Sequence, residues 1–403
     1  MSQNHSPALF YREWAIQKAG LQPEQNEDAC VIRSLNQEAD SPLCLIAVAD
    51  GATEAVYSRL WARQLVEAAS PDWPALPDDD LSEQLKQVGK AFSPIEPGKE
   101  IPWFVRNKYL DQGSQATLLV ATLAGAQGND AFHIRAVSVG DCCLLLFKAS
   151  GEVISFPMQH SDEFGVNPVL LGNRIARPAR YDRWEAQVEP GDMILFGTDA
   201  MSKWALQCLE SRQSGLLFEG LLGLLGFNSS DSSSSAEGSS PADSLHEASE
   251  ARAAEEPAAG LPNAEKPARR SGWLKHLWPW ANHQPLEVDE ITETEDAQPP
   301  IPEAPVQQGD DASESVDQPI VESADEQAAI DSHLKFEQFI ERYRAPDSLL
   351  HMRNDDSTLV VCLPVRHAPA GQELEALRVI RGLQSAVAAR LQAAPPTGEV
   401  GSN

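Results

Sequence analysis

The sequence predicts an α+β fold, a layered α-β-β-α sandwich of two mostly antiparallel sheets flanked by helices, interrupted by a long disordered insert. Three observations lead there. Several apolar stretches run on without alternation, as strands covered on both faces do. Short turns join these stretches, while the helical patterns are set apart from them. A sharp change of composition then separates two ordered regions.

In chain order the strands are "DACVIRSL" from Asp28, "LCLIAVAD" (43–50), "ATLLVATL" (116–123), "FHIRAVSVGD" (132–141), "CCLLLFKA" (142–149) and "GDMILFGTD" (191–199). Helical patterns occupy "EAVYSRLWARQLVEAA" (54–69), "DDLSEQLKQVGKAF" (79–92) and "IPWFVRNKYLDQ" (101–112). Residues 1–227 form the first part of the ordered domain. From 228 to 332 Ser, Pro, Glu and Asp dominate, and too few apolar residues offset the entropy of ordering the chain. That insert holds 23 acidic and 5 basic residues, so it carries 18 of the 29 net negative charges.

Order resumes over 333–366 with a short amphipathic helix, "HLKFEQFIERYR", and a strand, "DDSTLVVCLPV". The strand lacks a later partner, so it completes a sheet begun before the insert. Residues 367–403 form a C-terminal helix and a flexible end. Leu374, Leu377, Ile380, Leu383, Val387 and Leu391 fall near one stripe, for packing on the domain or for a partner.

A net charge of −29 argues against a nucleic-acid binder, which needs clustered Lys and Arg. Six cysteines form neither a CxxC pair nor a disulfide framework. The first residues lack a signal-peptide pattern, and no apolar run reaches the ~20 residues that span a bilayer. The expected class is a soluble, reduced, cytoplasmic protein.

Carboxylates stand at the ends of five strands: Asp50, Asp141, Asp199, Asp355 with Asp356, and Asp28 with Glu27. Each alone reads as a turn or cap residue, Asp50-Gly51 especially. Gathered at one edge of a sandwich they would repel one another and raise their own pKa values, and a divalent cation would relieve this. An oxygen-only donor set suits Mg²⁺ or Mn²⁺ rather than zinc.

The series "NEDA", "VADGAT", "GSQATLLVATL", "SVGDC", "ILFGTDAMSKW" and "NDDSTLVV" resembles, in order, the metal-dependent serine/threonine phosphatases of the PPM (protein phosphatase type 2C) family. The stretch "DGATEAVYSRLWA" looks most like its divergent bacterial branch. The resemblance implies a hydrolase with two Mn²⁺ or Mg²⁺ ions and a weaker third. Asp50 would bridge both ions, with the Gly51 carbonyl on one. Asp199 and Asp355 would complete the first, Asp28 with Glu27 would serve the second, and Asp141 would share the weaker site with Asp199. Thr117 would pack beneath the site, and Asp356 would orient its neighbour from behind. A water bridging the ions would attack phosphoserine or phosphothreonine in line, with Asp50, Asp199 and Asp355 as the catalytic set.

Departures from the family are three. The Arg that often precedes the N-E-D motif is missing, and Lys18 is out of register with it. Ala52 replaces the His that commonly follows Asp-Gly, and Ala200 replaces a Gly. The sequence has no cysteine-loop phosphatase pattern, P-loop, H-E-x-x-H or His pair at ligand spacing.

"PARRSGWLKHLWPWANH" sets Trp273, Trp278 and Trp280 beside basic residues, for a protein partner ahead of lipid, or for a cluster without a role. Cys142 and Cys143 read as core residues. "MQHSDEFGVNPVLLGN" (158–173) reads as a flap in which His160 is a candidate proton donor. Two functions follow. One is a phosphatase acting on the targets of a serine/threonine kinase; the other is a catalytically weak or inactive regulatory module that binds a partner.

Overall fold

The computed structural model describes residues 8–35, 43–95, 100–125, 131–165, 167–174, 180–227, 324–365 and 369–393. These belong to one compact unit made of 1–236 and 321–403. A second unit, 237–320, lies outside the described residues, as do residues 228–323 of the expected insert with Trp273, Trp278 and Trp280.

The elements in chain order are β1 (Ala8–Ile16), β2 (Asp28–Ser34), β3 (Leu43–Asp50), α1 (Ser58–Ala68), α2 (Asp78–Ala91), α3 (Trp103–Gln112) and β4 (Gln115–Ala116). Then follow β5 (Leu118–Gly125), β6 (Phe132–Val139), β7 (Cys143–Phe147), β8 (Val153–Phe156), β9 (Leu171–Gly172), β10 (Asp182–Val188) and β11 (Met193–Gly197). The remainder are α4 (Asp199–Glu210), α5 (Ser214–Leu224), α6 (Ala324–Arg344), β12 (Ser357–Val365) and α7 (Pro369–Ala393).

Two five-stranded sheets carry the fold, ordered β1-β12-β11-β7-β8 and β10-β6-β5-β3-β2, with every ladder antiparallel. Alternate residues of each strand serve different layers. On β3, Ile46 and Val48 face Leu144, Leu146, Ile194 and Phe196 of the other sheet, while Leu45, Ala47 and Ala49 pack on Trp61 and Leu65 of α1. On β12, Val360 and Cys362 enter the layer between the sheets, and Leu359, Val361 and Leu363 meet helices α4–α7. Both faces are buried, which explains the unbroken apolar stretches and gives the four expected layers.

The strand after the insert lies inside a sheet, as expected: β12 pairs with β1 from Ala8↔Val365 to Ile16↔Ser357 and with β11 from Ile194↔Cys362 to Gly197↔Leu359. Helix α6 starts at Ala324, ahead of the boundary at 332 that composition suggested. Beyond it Trp14 donates from Nε1 to Ser332 Oγ at 2.8 Å, Phe339 and Tyr343 pack their rings against Trp204, and Phe336 stacks on Phe339. Helix α7 packs on the domain through Ala376, Ile380, Leu383 and Val387. Leu374 departs from the expected stripe and is 54% exposed, because two positions before Ala376 turn it by about 200°. No described helix is long and apolar enough to cross a membrane.

Candidate functional site

Antiparallel pairing sets Asp28 opposite Asp50, so both side chains share the face of β2–β3 that looks toward the second sheet. The same parity on β11 and β12 sends Thr198 and Thr358 into that layer from across the gap. Thr198 Oγ1 donates to Asp28 Oδ2 at 2.9 Å, while the Thr358 amide donates to Thr198 Oγ1 at 3.0 Å. The acids therefore gather at the rim where the apolar core between the sheets ends. Asp199 is the first residue of α4, where the positive end of the helix dipole favours a carboxylate.

Two glycines allow the close approach of the loops. A Cβ on Gly51 would lie 2.8 Å from the Ser58 carbonyl carbon and 2.9 Å from Glu27 O. Gly140 has φ +98°, and a Cβ there would meet Thr117 Cγ2 at 2.5 Å and Val169 O at 2.8 Å. It turns the chain so that Asp141 follows directly. Thr117 fixes Asp50 from below: the Asp50 amide donates to Thr117 Oγ1 at 3.3 Å, and the Thr117 amide donates to Asp50 O at 2.8 Å.

Burial raises Asp28 well above the usual carboxylate range, and the charge of Asp356 adds to it. Asp50 is likewise raised, by burial first and then by Asp28, Asp199 and Asp141. Asp141 is pushed up to about 7 by burial and by Asp199. Asp199 is raised by burial and Asp355, against the opposing charge of Arg353. Asp28, Asp50, Asp141, Asp199 and Asp355 thus lie near enough for their charges to repel one another. Among the described residues, Asp28 Oδ1, Asp141 Oδ1 and Asp199 Oδ1 are buried without a hydrogen-bond partner.

Glu27 turns aside, accepting from Ser58 Oγ and lying 3.8 Å from Lys18 Nζ. Asp356 accepts from the amides of Lys18 and Glu27, both at 2.7 Å, which ties the two chain segments together. Only its backbone reaches its neighbour, the amide donating to Asp355 Oδ1 at 3.1 Å.

Two cations missed by sequence reasoning stand on the acids. Lys18, out of register with the family motif, nonetheless places Nζ 2.8 Å from Asp355 Oδ1. Arg353 lies 2.9 Å from Asp199 Oδ2 and 3.3 Å from Asp355 Oδ2. Its place two residues before Asp355 was the one available signal. Among the described residues, no three His, Cys, Asp or Glu side chains converge as a ready metal cage. The donors are all oxygen, and the three unpaired buried oxygens are the kind a divalent ion satisfies, so the residue set fits Mg²⁺ or Mn²⁺.

Of the other candidates, Cys142 and Cys143 are buried with thiols pushed well up by burial, as core residues are. The flap reaches the site through Val169 and through Leu171, which pairs with Ala116. His160 does not reach it. It pairs with Glu210 at 3.5 Å, eleven residues along α4 from Asp199, or about 16 Å of helix. Ala200 sits inside α4, a conformation that needs no glycine.

The chain matches the family model described as protein phosphatase 2C over residues 22–218. Several solved structures are similar to it. The catalytic domain of the serine/threonine protein phosphatase PstP in complex with two manganese ions has 16% identity, covering 52% of this chain and 85% of that one, with a TM-score of 0.34. RsbX in complex with magnesium has 15% identity, covering 51% and 80%, with a TM-score of 0.33. PppA, a regulatory component of the T6SS in Pseudomonas aeruginosa, has 22% identity, covering 51% and 82%, with a TM-score of 0.32. No curated protein matches the chain significantly.

Proposed function

We propose that this chain is a Mn²⁺- or Mg²⁺-dependent hydrolase of phosphoserine and phosphothreonine in proteins, acting in the cytoplasm on targets of a serine/threonine kinase. One observation carries the reading: acids from separate strands meet at one rim, three of them with a buried unpaired oxygen. In this reading Asp50, the Gly51 carbonyl, Asp28, Asp199 and Asp355 hold two ions, and Asp141 supports a weaker third. Bound divalent ions would acidify a water and neutralise charge on the phosphoryl oxygens.

The chain's own residues prepare that rim. Thr198 orients Asp28 through its hydroxyl, and Thr117 fixes the backbone on both sides of the Asp50 α-carbon. Asp356 locks the Lys18 and Glu27 backbones beside Asp355. The lack of a Cβ on Gly51 lets the chain after Asp50 lie directly against Ser58 and Glu27. With Ala52 in the usual His position and His160 at the far end of α4, neither position supplies a proton to the leaving oxygen.

The test is phosphate release from a phosphothreonine peptide and from p-nitrophenyl phosphate, with Mn²⁺ and with chelator. Turnover with Mn²⁺ that chelator abolishes is expected. Turnover that survives chelation rejects the reading, and none with any divalent ion leaves a regulatory module that binds a partner.

A further inference from the structure

Arg353 and Lys18 share the carboxylates of the candidate centre. Both oxygens of Asp355 are engaged, Oδ1 by Lys18 Nζ at 2.8 Å and Oδ2 by Arg353 Nε at 3.3 Å. Arg353 NH1 takes Asp199 Oδ2 at 2.9 Å, while Asp199 Oδ1 is buried and unpartnered. A guanidinium and a divalent ion drawn to the same carboxylates oppose each other, because each neutralises the charge that attracts the other.

The two cations differ in freedom. Lys18 is tied down: its amide donates to Asp356 Oδ1 at 2.7 Å, its Nζ donates to Thr53 Oγ1 at 2.8 Å, and its side chain is 19% exposed. The Arg353 side chain is 52% exposed, and its contacts run from the guanidinium to the two acids. It can therefore swing into solvent without disturbing the core.

We propose that Arg353 is a tethered counter-cation that competes with divalent metal for Asp199 and Asp355 and so sets how tightly that half of the centre binds its ion. The inference rests on the metal reading above. Arg353 is a positioning residue here, acting on the reaction only through the acids it holds.

Mn²⁺ binding to the full-length protein, followed by titration calorimetry and by the electron paramagnetic resonance signal of free Mn²⁺, tests this without an activity assay. Arg353→Gln should tighten Mn²⁺ binding at the Asp199–Asp355 half of the centre by about two- to fivefold, the scale of one partly exposed ion pair. Arg353→Lys, which keeps the charge, should restore most of the wild-type affinity. Arg135→Gln, which removes a cation paired instead with Glu185, should leave affinity unchanged. Unchanged or weaker Mn²⁺ binding in Arg353→Gln overturns the proposal, as does an equal gain in Arg135→Gln, which would make the effect one of bulk charge. No Mn²⁺ binding by the wild-type chain overturns the metal reading itself, and this inference with it.

Discussion

Asp28 and Asp50 are direct partners across the β2–β3 ladder, with both side chains on the face toward the second sheet. Opposed residues place their Cβ atoms about 5 Å apart, and like charges there destabilise the pair. Around them the carboxylates of Asp141, Asp199 and Asp355 add to the repulsion. A protein that keeps such a cluster at the end of its core sacrifices stability for it, and the sacrifice is measurable.

Asp28→Asn should raise the chelated protein's melting temperature by about 2–4 °C, corresponding to about 1 kcal/mol in a domain of this size. The amide keeps an acceptor for Thr198 Oγ1 while removing a buried charge. The same variant should lose part of the stabilisation that Mn²⁺ gives the wild type. Thermal unfolding with and without metal reads both effects.

Stability in chelator should fall as pH rises from about 4 to about 7. A carboxyl whose pKa is raised by folding binds more protons in the folded state across this window. The penalty is absent below the unfolded value and complete above the folded one, about 7 for Asp141. Asp28, Asp50 and Asp199 shift in the same direction. Saturating Mn²⁺ should flatten the slope, since ligation favours the ionised acids. Denaturant titrations at several pH values, with and without metal, measure it.

Asp50→Ala and Asp199→Ala should each lower phosphopeptide turnover by about a thousandfold or more, the scale of losing a principal electrostatic group. Circular dichroism should be unchanged, because both side chains sit at strand or helix ends rather than in the apolar layers. Wild-type turnover in either variant would remove these acids from the chemistry.

Thr117→Val keeps the shape under Asp50 but removes the oxygen that accepts its amide. A loss of about 1 kcal/mol is expected. Because the strand end carrying Asp50 loosens, kcat should fall more than KM rises. Unfolding and steady-state kinetics on one preparation separate the two.

Phe227 and Ala328 line the same cavity, so the chain leaves and re-enters the domain close by. Deletion of residues 237–320 behind a short flexible linker should therefore preserve folding and Mn²⁺-dependent turnover. Loss of folding would make that unit part of the domain's structure.

Much of this was legible in the chain. Stretches such as "LCLIAVAD" and "CCLLLF" declared themselves because burial on both faces leaves no polar alternation. Strands β1 and β10 did not, since edge strands keep charges such as Arg12, Glu13 and Glu185 on an open face. The acids were legible because each closes or opens a strand or helix. Lys18, Ser58, Thr198 and Arg353 were not, because only the folded backbone brings them onto those acids. Lys18 shows why: it is ten residues from Asp28, and a hydrogen bond from its backbone amide to the Asp356 carboxylate delivers it.

The place of β12 between β1 and β11 bears on how the polypeptide is made. A ribosome must synthesise more than three hundred residues after β1 before that strand can acquire its neighbour. Until then the nascent chain exposes two open ladders, the templates on which unfinished proteins stick to one another. Productive maturation thus awaits synthesis of Ser357–Val365, and products cut short before Ser357 are natural clients for chaperones or degradation.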